Sequence, residues 1–219
     1  MKTVRIWFKK DGAARFISHL DLNRCMLRAV HKAKIPLWYT EGYNPHAFVT
    51  FALPLSLGFR GNRESMDMKI DETKITDEEL LARLDAALPG DIVLFAVTEP
   101  KMKPGKIAWA EYCAFLKPEN GSVEGLGNAL GQLLNKTEIL AEKHSKNGTV
   151  QIDIKPHLKK VEWRRQHDAL ALDLLLPAGG EMNINPKLLL EALEKDSQLA
   201  FFYSLERNLL YDKDMRIFE

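Results

Sequence analysis

Between Val4 and Val97 the hydrophobic period switches from two to about 3.6 and back twice, and that alternation leaves few folds open. Val4-Arg5-Ile6-Trp7-Phe8 is rich in β-branched and aromatic residues and closes on the turn pair Asp11-Gly12, which predicts a strand. Ser18 reads as an N-cap with Asp21 three residues on, and Leu20, Leu22, Met26, Leu27, Val30 and Ala33 recur at helical spacing until Pro36 stops the helix. Leu37 to Thr40 is extended, Phe48 to Leu53 resumes as a strand broken by Pro54 and Gly58, and Ser65 to Ile70 alternates as a half-buried strand does. Thr76-Asp77-Glu78-Glu79 opens a helix through Leu80, Leu81, Leu84 and Leu88, ended by Pro89-Gly90, and Ile92 to Val97 is a last strand. The order β-α-β-β-α-β is that of the ferredoxin-like fold, an antiparallel sheet with two helices on one face.

A looser second round follows. Trp109 to Leu116 reads as strand, Val123 to Leu134 as helix and Glu138 to His144 as strand. Thr149 to Ile154 and Ala169 to Leu176 are further strands, Pro186 to Leu193 a helix and Phe201 to Leu205 a strand, with Lys155 to His167 as an interruption. The expected fold class is therefore α+β, with tandem ferredoxin-like (βαββαβ) domains at 1–100 and 107–219, the second one decorated. Residues 101–106, with Pro104 and Gly105, read as the linker.

Charge is unevenly spread. Residues 1–63 carry eleven lysines and arginines against three acids, a net of +8, while residues 76–99 carry one arginine against six acids, a net of −5. A basic region inside a nearly neutral chain points to an anionic partner, phosphate first. No apolar run approaches the roughly 18 residues of a membrane span, and the opening MKTVRIWFKK lacks a secretory signal, so no membrane partner and a cytoplasmic location are expected. Cys25 and Cys113 offer neither a disulfide framework nor a Cys-rich metal site. There is no glycine-rich phosphate loop, nucleophile elbow or HExxH pair, so no metal and no cofactor are expected.

The stretch Tyr39 to Phe48, YTEGYNPHAF, is too polar and turn-rich for core. It places His46 on a loop, with His19 just inside the first helix, beside Arg15, Tyr39, Tyr43 and Asn44. Two imidazoles titrating near neutrality suit either RNA contact or acid-base work on a phosphodiester, so His19 and His46 are the catalytic candidates if there is catalysis. Aromatic rings interleaved with cations are what unpaired bases stack on. Arg60 and Arg63, in a basic connection between strands, and Lys155 and Lys159, in the second half, complete the candidate RNA-binding set.

RFISHLDLNR, YTEGYNPHAFVTFALPLSLG, VQIDIKPHLK and INPKLLLEAL together resemble the radical SAM-linked proteins, a bacterial family with a domain of unknown function. The resemblance spans nearly the whole chain and implies a radical SAM protein, fused or encoded nearby, as partner. Ala47 departs from the proline expected there, and the chain lacks the CxxxCxxC spacing of a radical SAM cluster, so it resembles the accessory half. The tandem layout is also similar, in fold alone, to the repeat-associated RNA-binding proteins of CRISPR systems. The leading expectation is an accessory RNA-binding module, not itself an enzyme, that presents RNA, tRNA or rRNA being the candidate classes, to that partner for modification. A metal-independent endoribonuclease and a protein-protein scaffold are the alternatives.

Overall fold

In the computed structural model, which describes residues 1–145 and 148–219, the chain forms two compact α+β units, 1–107 with 217–219, and 108–216. The first runs β1 (Lys2–Lys10), α1 (His19–Lys32), β2 (Val49–Phe51), β3 (Phe59–Ile70), α2 (Asp77–Asp85) and β4 (Ile92–Thr98). Its strands pair antiparallel in the spatial order β4-β1-β3-β2.

Alternation decides which face is core. Val4, Ile6 and Phe8 of β1 and Met66, Met68 and Ile70 of β3 pack with Leu22, Met26 and Val30 of α1 and Leu80 and Leu84 of α2. Each such side chain is worth about 1.5–3 kcal/mol relative to its exposed state. The helices begin where side chains meet open backbone N–H groups. Ser18 Oγ accepts from Asp21 N–H at 3.1 Å, and Thr76 Oγ1 from Glu79 N–H at 3.2 Å. The end of α1 is held by Arg83 of α2, whose guanidinium donates to the carbonyls of Ala33 (Nε, 3.0 Å) and Lys34 (Nη2, 2.8 Å) that the helix leaves open.

The other face of this sheet carries charge. Arg5, fully buried, donates through Nε and Nη2 to both oxygens of Asp67 at 2.7 and 2.8 Å, and through Nη2 to the Met102 carbonyl at 2.8 Å. Its guanidinium lies 4.2 Å from the Phe218 ring, and Trp7 Nε1 donates to Thr98 Oγ1 at 2.9 Å. Segment 101–106 is thus no free linker. It belongs to the first unit, tied by Met102 and by Lys101, whose ammonium pairs with Glu219 at 2.7 Å.

The second unit runs β5 (Ile107–Pro118), α3 (Val123–Leu134), β6 (Leu140–Ser145), β7 (Gly148–Asp153), β8 (Lys160–Gln166), β9 (Ala169–Pro177), α4 (Lys187–Ser197) and β10 (Phe201–Asp212). The sheet order is β10-β5-β9-β8, and β6 and β7 form a separate two-stranded sheet. The segment predicted as this unit's second strand, Glu138 to His144, contributes only to the side hairpin. The place beside β9 belongs to β8, inside the stretch taken for an interruption. The reason is composition: KVEWRRQ offers the helix side only a half-buried Val161 and a Trp163 that stays 42% exposed, among charged residues. Trp163 lies on α3 at Gly127, where an added Cβ would meet the ring at 2.8 Å. Strand β10 also runs well past Leu205, to Asp212. Among the described residues no helix is long and apolar enough to cross a membrane.

Candidate functional site

The stretch from Tyr39 to Phe48 is a braced hairpin. Gly42 takes φ 135°, a conformation that glycine alone adopts without strain, and Asn44-Pro45 turns the chain back. Across the turn, Thr40 N–H donates to the His46 carbonyl at 2.9 Å and His46 N–H donates to Thr40 Oγ1 at 3.1 Å. The imidazole joins in: His46 Nδ1 is 3.0 Å from Thr40 Oγ1 and 3.3 Å from the Asn44 carbonyl oxygen. Protonated, Nδ1 donates to that carbonyl; unprotonated, it accepts from the hydroxyl. The base of the hairpin is stitched to β3, with Trp38 N–H donating to the Lys69 carbonyl at 2.9 Å and Lys69 N–H to the Phe48 carbonyl at 3.2 Å. The Lys69 ammonium sits 4.1 Å over the Trp38 ring. What this scaffold presents is Tyr43, 100% exposed, with Tyr39 41% exposed behind it.

His19, the first residue of α1, is half-buried and meets Phe51 of β2 edge-on, ring centroids 5.1 Å apart. Arg15 lies 4.5 Å over the Phe16 ring, and its carbonyl accepts from Gly58 N–H at 2.8 Å. Gly58 holds φ 87°, which lets the chain turn there.

Arg60 and Arg63 are not in a connection between strands. Both lie inside β3, which pairs with β1 across a register shift between Phe8 and Lys10. Arg60 forms an ion pair with Asp11 at 2.9 Å, and Arg63 stacks 4.4 Å over Trp7. Trp7 is on the face of the sheet away from the helices, so Arg63 and His19 are on opposite sides of it. One concavity holding His19, His46 and both arginines is therefore not what the fold builds. In the second unit the Lys155 ammonium donates to the Leu134 carbonyl, and Lys159 sits 4.5 Å over the Trp109 ring.

Sequence reasoning passed over a groove beside α1. It encloses about 540 Å³, with Arg24, Arg28 and Lys32 on one wall and Cys25, Ala29 and Leu88 among its apolar lining. The cations recur every four residues, about 6 Å apart along one helix face. Arg24 pairs with Asp21 at 3.1 Å, and the Ser18 hydroxyl holds the Asp21 carboxyl below the usual carboxylate range. Burial pushes the Cys25 thiol up, with the Arg28 charge pulling the other way. The four-residue spacing is the signal that was legible in the sequence.

The pattern of partners separates this groove from the other cations. Of the eleven lysines and arginines in residues 1–63, seven have a partner on this unit: Lys2, Arg5, Lys10, Arg15, Arg24, Arg60 and Arg63. The side chains of Lys9, Arg28, Lys32 and Lys34 make no hydrogen bond, ion pair or ring contact among the described residues, and of these Arg28 and Lys32 line the groove together.

No curated protein matches the chain. Among solved structures, the crystal structure of a Cbf5-Nop10-Gar1 complex contains a chain that is 9% identical with a TM-score of 0.53, over 94% of this chain and 48% of that one. The chain thus spans about half the length of that protein, and at this identity the likeness is one of fold alone. The crystal structure of an unknown protein from Galdieria sulphuraria matches over 94% of this chain and 98% of that one, at 12% identity and a TM-score of 0.26, too low to bear on the fold. Residues 3–186 match the family described as "Uncharacterized protein conserved in bacteria (DUF2344)", and to that family the chain belongs.

Proposed function

We propose that the chain is an accessory RNA-binding module that works with a radical SAM protein in RNA modification. The observation that carries the binding half is the braced hairpin. Its polar groups bond to one another, so it holds its shape without a ligand and offers the fully exposed Tyr43 ring for stacking. An aromatic ring on a pre-formed loop, on a unit with free cations, is how unpaired bases and their phosphates are held. The partner half rests on the resemblance to the radical SAM-linked proteins. The reading of both units as ferredoxin-like is part of this proposal, supported by the shared spatial order of fourth, first, third and second strand once β6 and β7 are set aside.

Cleavage by His19 or His46 has less support, since the His46 Nδ1 braces its own turn and His19 packs on Phe51. Filter binding of single-stranded RNA tests the reading. Tyr43→Ala is expected to weaken binding by about 1–3 kcal/mol, the loss of one stacked base. His46→Ala is expected to weaken it less, by loosening the turn, with no change in RNA integrity. RNA cleaved by the wild type and spared by His46→Ala favours the nuclease. Binding to the radical SAM protein with none to RNA favours a scaffold.

A further inference from the structure

We propose that the groove along α1 is the track for the phosphates of the bound RNA, with Arg28 and Lys32 as its principal contacts and Arg24 at its end. This deepens the RNA-binding reading and rests on it. Most cations of residues 1–63 are held in place on the unit itself by carboxylates, carbonyls or rings, and those contacts fix their side chains away from a ligand without removing their charge. Arg28 and Lys32 are exposed, unmatched by a carboxylate among the described residues, and border one open groove. Holding like charges four residues apart on one helix face costs stability. An anion with several charges spaced along its length relieves that repulsion at Arg28 and Lys32, and competes with Asp21, which also lines the groove, for Arg24. The apolar lining from Ala29 and Leu88 leaves room for the sugar edge between phosphates.

The two cysteines supply the test. Cys25 lines the groove and is half-buried, whereas Cys113 is 6% exposed and burial, with Asp173 beside it, pushes its thiol up to about 12. In the folded chain at mildly alkaline pH a thiol-alkylating reagent therefore reports on Cys25, and reaction of a second thiol reports unfolding. The full chain is alkylated in the presence of a single-stranded RNA oligonucleotide or of inorganic tripolyphosphate. Each is expected to slow Cys25 alkylation about tenfold at ten times its dissociation constant. The protection is expected to vanish in R24Q/R28Q/K32Q and to return in R24K/R28K with Lys32 kept. RNA retained on the filter with Cys25 alkylated at the unprotected rate overturns the groove assignment and leaves the RNA-binding module standing. Protection by tripolyphosphate with no RNA retained overturns the module and, with it, RNA as the ligand of this groove.

Discussion

The two units set their strands in the same spatial order but handle charge in opposite ways. In the first, a guanidinium and a carboxylate are buried under the sheet as Arg5 and Asp67, while the first helix displays Arg24, Arg28 and Lys32 to solvent. In the second, the corresponding first helix, VEGLGNALGQLL, carries no lysine or arginine, and exposed cations such as Lys117, Lys160 and Lys195 face carboxylates. One arrangement of strands thus supports an anion-seeking helix in one unit and a largely self-neutralised surface in the other. The fold does not decide the ligand; the distribution of unmatched charge on it does.

The largest expected difference lies between ion pairs. Arg5→Ala leaves Asp67, 7% exposed, without its partner and is expected to cost about 3–5 kcal/mol in urea unfolding. Arg164→Ala breaks the pair with Asp173, whose members are 58% and 31% exposed, and is expected to cost at most about 1 kcal/mol. Equal losses would break the contrast between a buried and a solvated pair. Next come two glycines of α3. Gly127→Ala drives a methyl into the Trp163 ring and is expected to destabilise by about 1–3 kcal/mol. At Gly131 nothing lies within 4 Å, so Gly131→Ala is expected to stabilise by about 0.5–1 kcal/mol. Thermal unfolding of the pair checks that the signs differ.

Caps should not distinguish the units. Ser18→Ala in the first and Ser122→Ala in the second each remove one side-chain acceptor from a helix start, and each is expected to cost about 1 kcal/mol. The smallest effect is on acid tolerance. Hydrogen bonds from Lys74 and then Thr73 lower the Asp71 carboxyl from 3.8 to about 2. A depressed carboxyl contributes stability above its unfolded pKa, and that contribution fades as pH falls through the folded one. Wild type and Asp71→Asn are therefore expected to differ slightly in melting temperature at pH 5 and to converge by about pH 2; a constant gap contradicts the assignment.

The first unit's order of elements was legible because its helices and strands differ cleanly in period and carry capping and turn residues at their ends. Strand β8 was not, since its only apolar residues are a half-buried valine and an exposed tryptophan among charges, which reads as a solvated stretch. Arg60-Gly61-Asn62-Arg63 reads as a turn by composition, yet Gly61 pairs with Lys10 in the sheet, close against the Glu64 side chain. At the site, residue types and the hairpin were legible while partnership was not. That Arg60 finds Asp11 and Arg63 finds Trp7, whereas Arg28 finds no carboxylate among the described residues, depends on chain folding that no local spacing encodes.

The contrast between the units is tested most directly by the salt dependence of RNA affinity in three full-length chains: wild type, R24Q/R28Q/K32Q and K155Q/K159Q. Each phosphate contact on a single strand adds about 0.7 to the slope of log K against log salt. The α1 variant is expected to flatten the slope by about 2, and K155Q/K159Q, whose lysines are already held by the Leu134 carbonyl and the Trp109 ring, to leave it unchanged. A wild-type slope in the α1 variant, or a flattened one in K155Q/K159Q alone, contradicts the account.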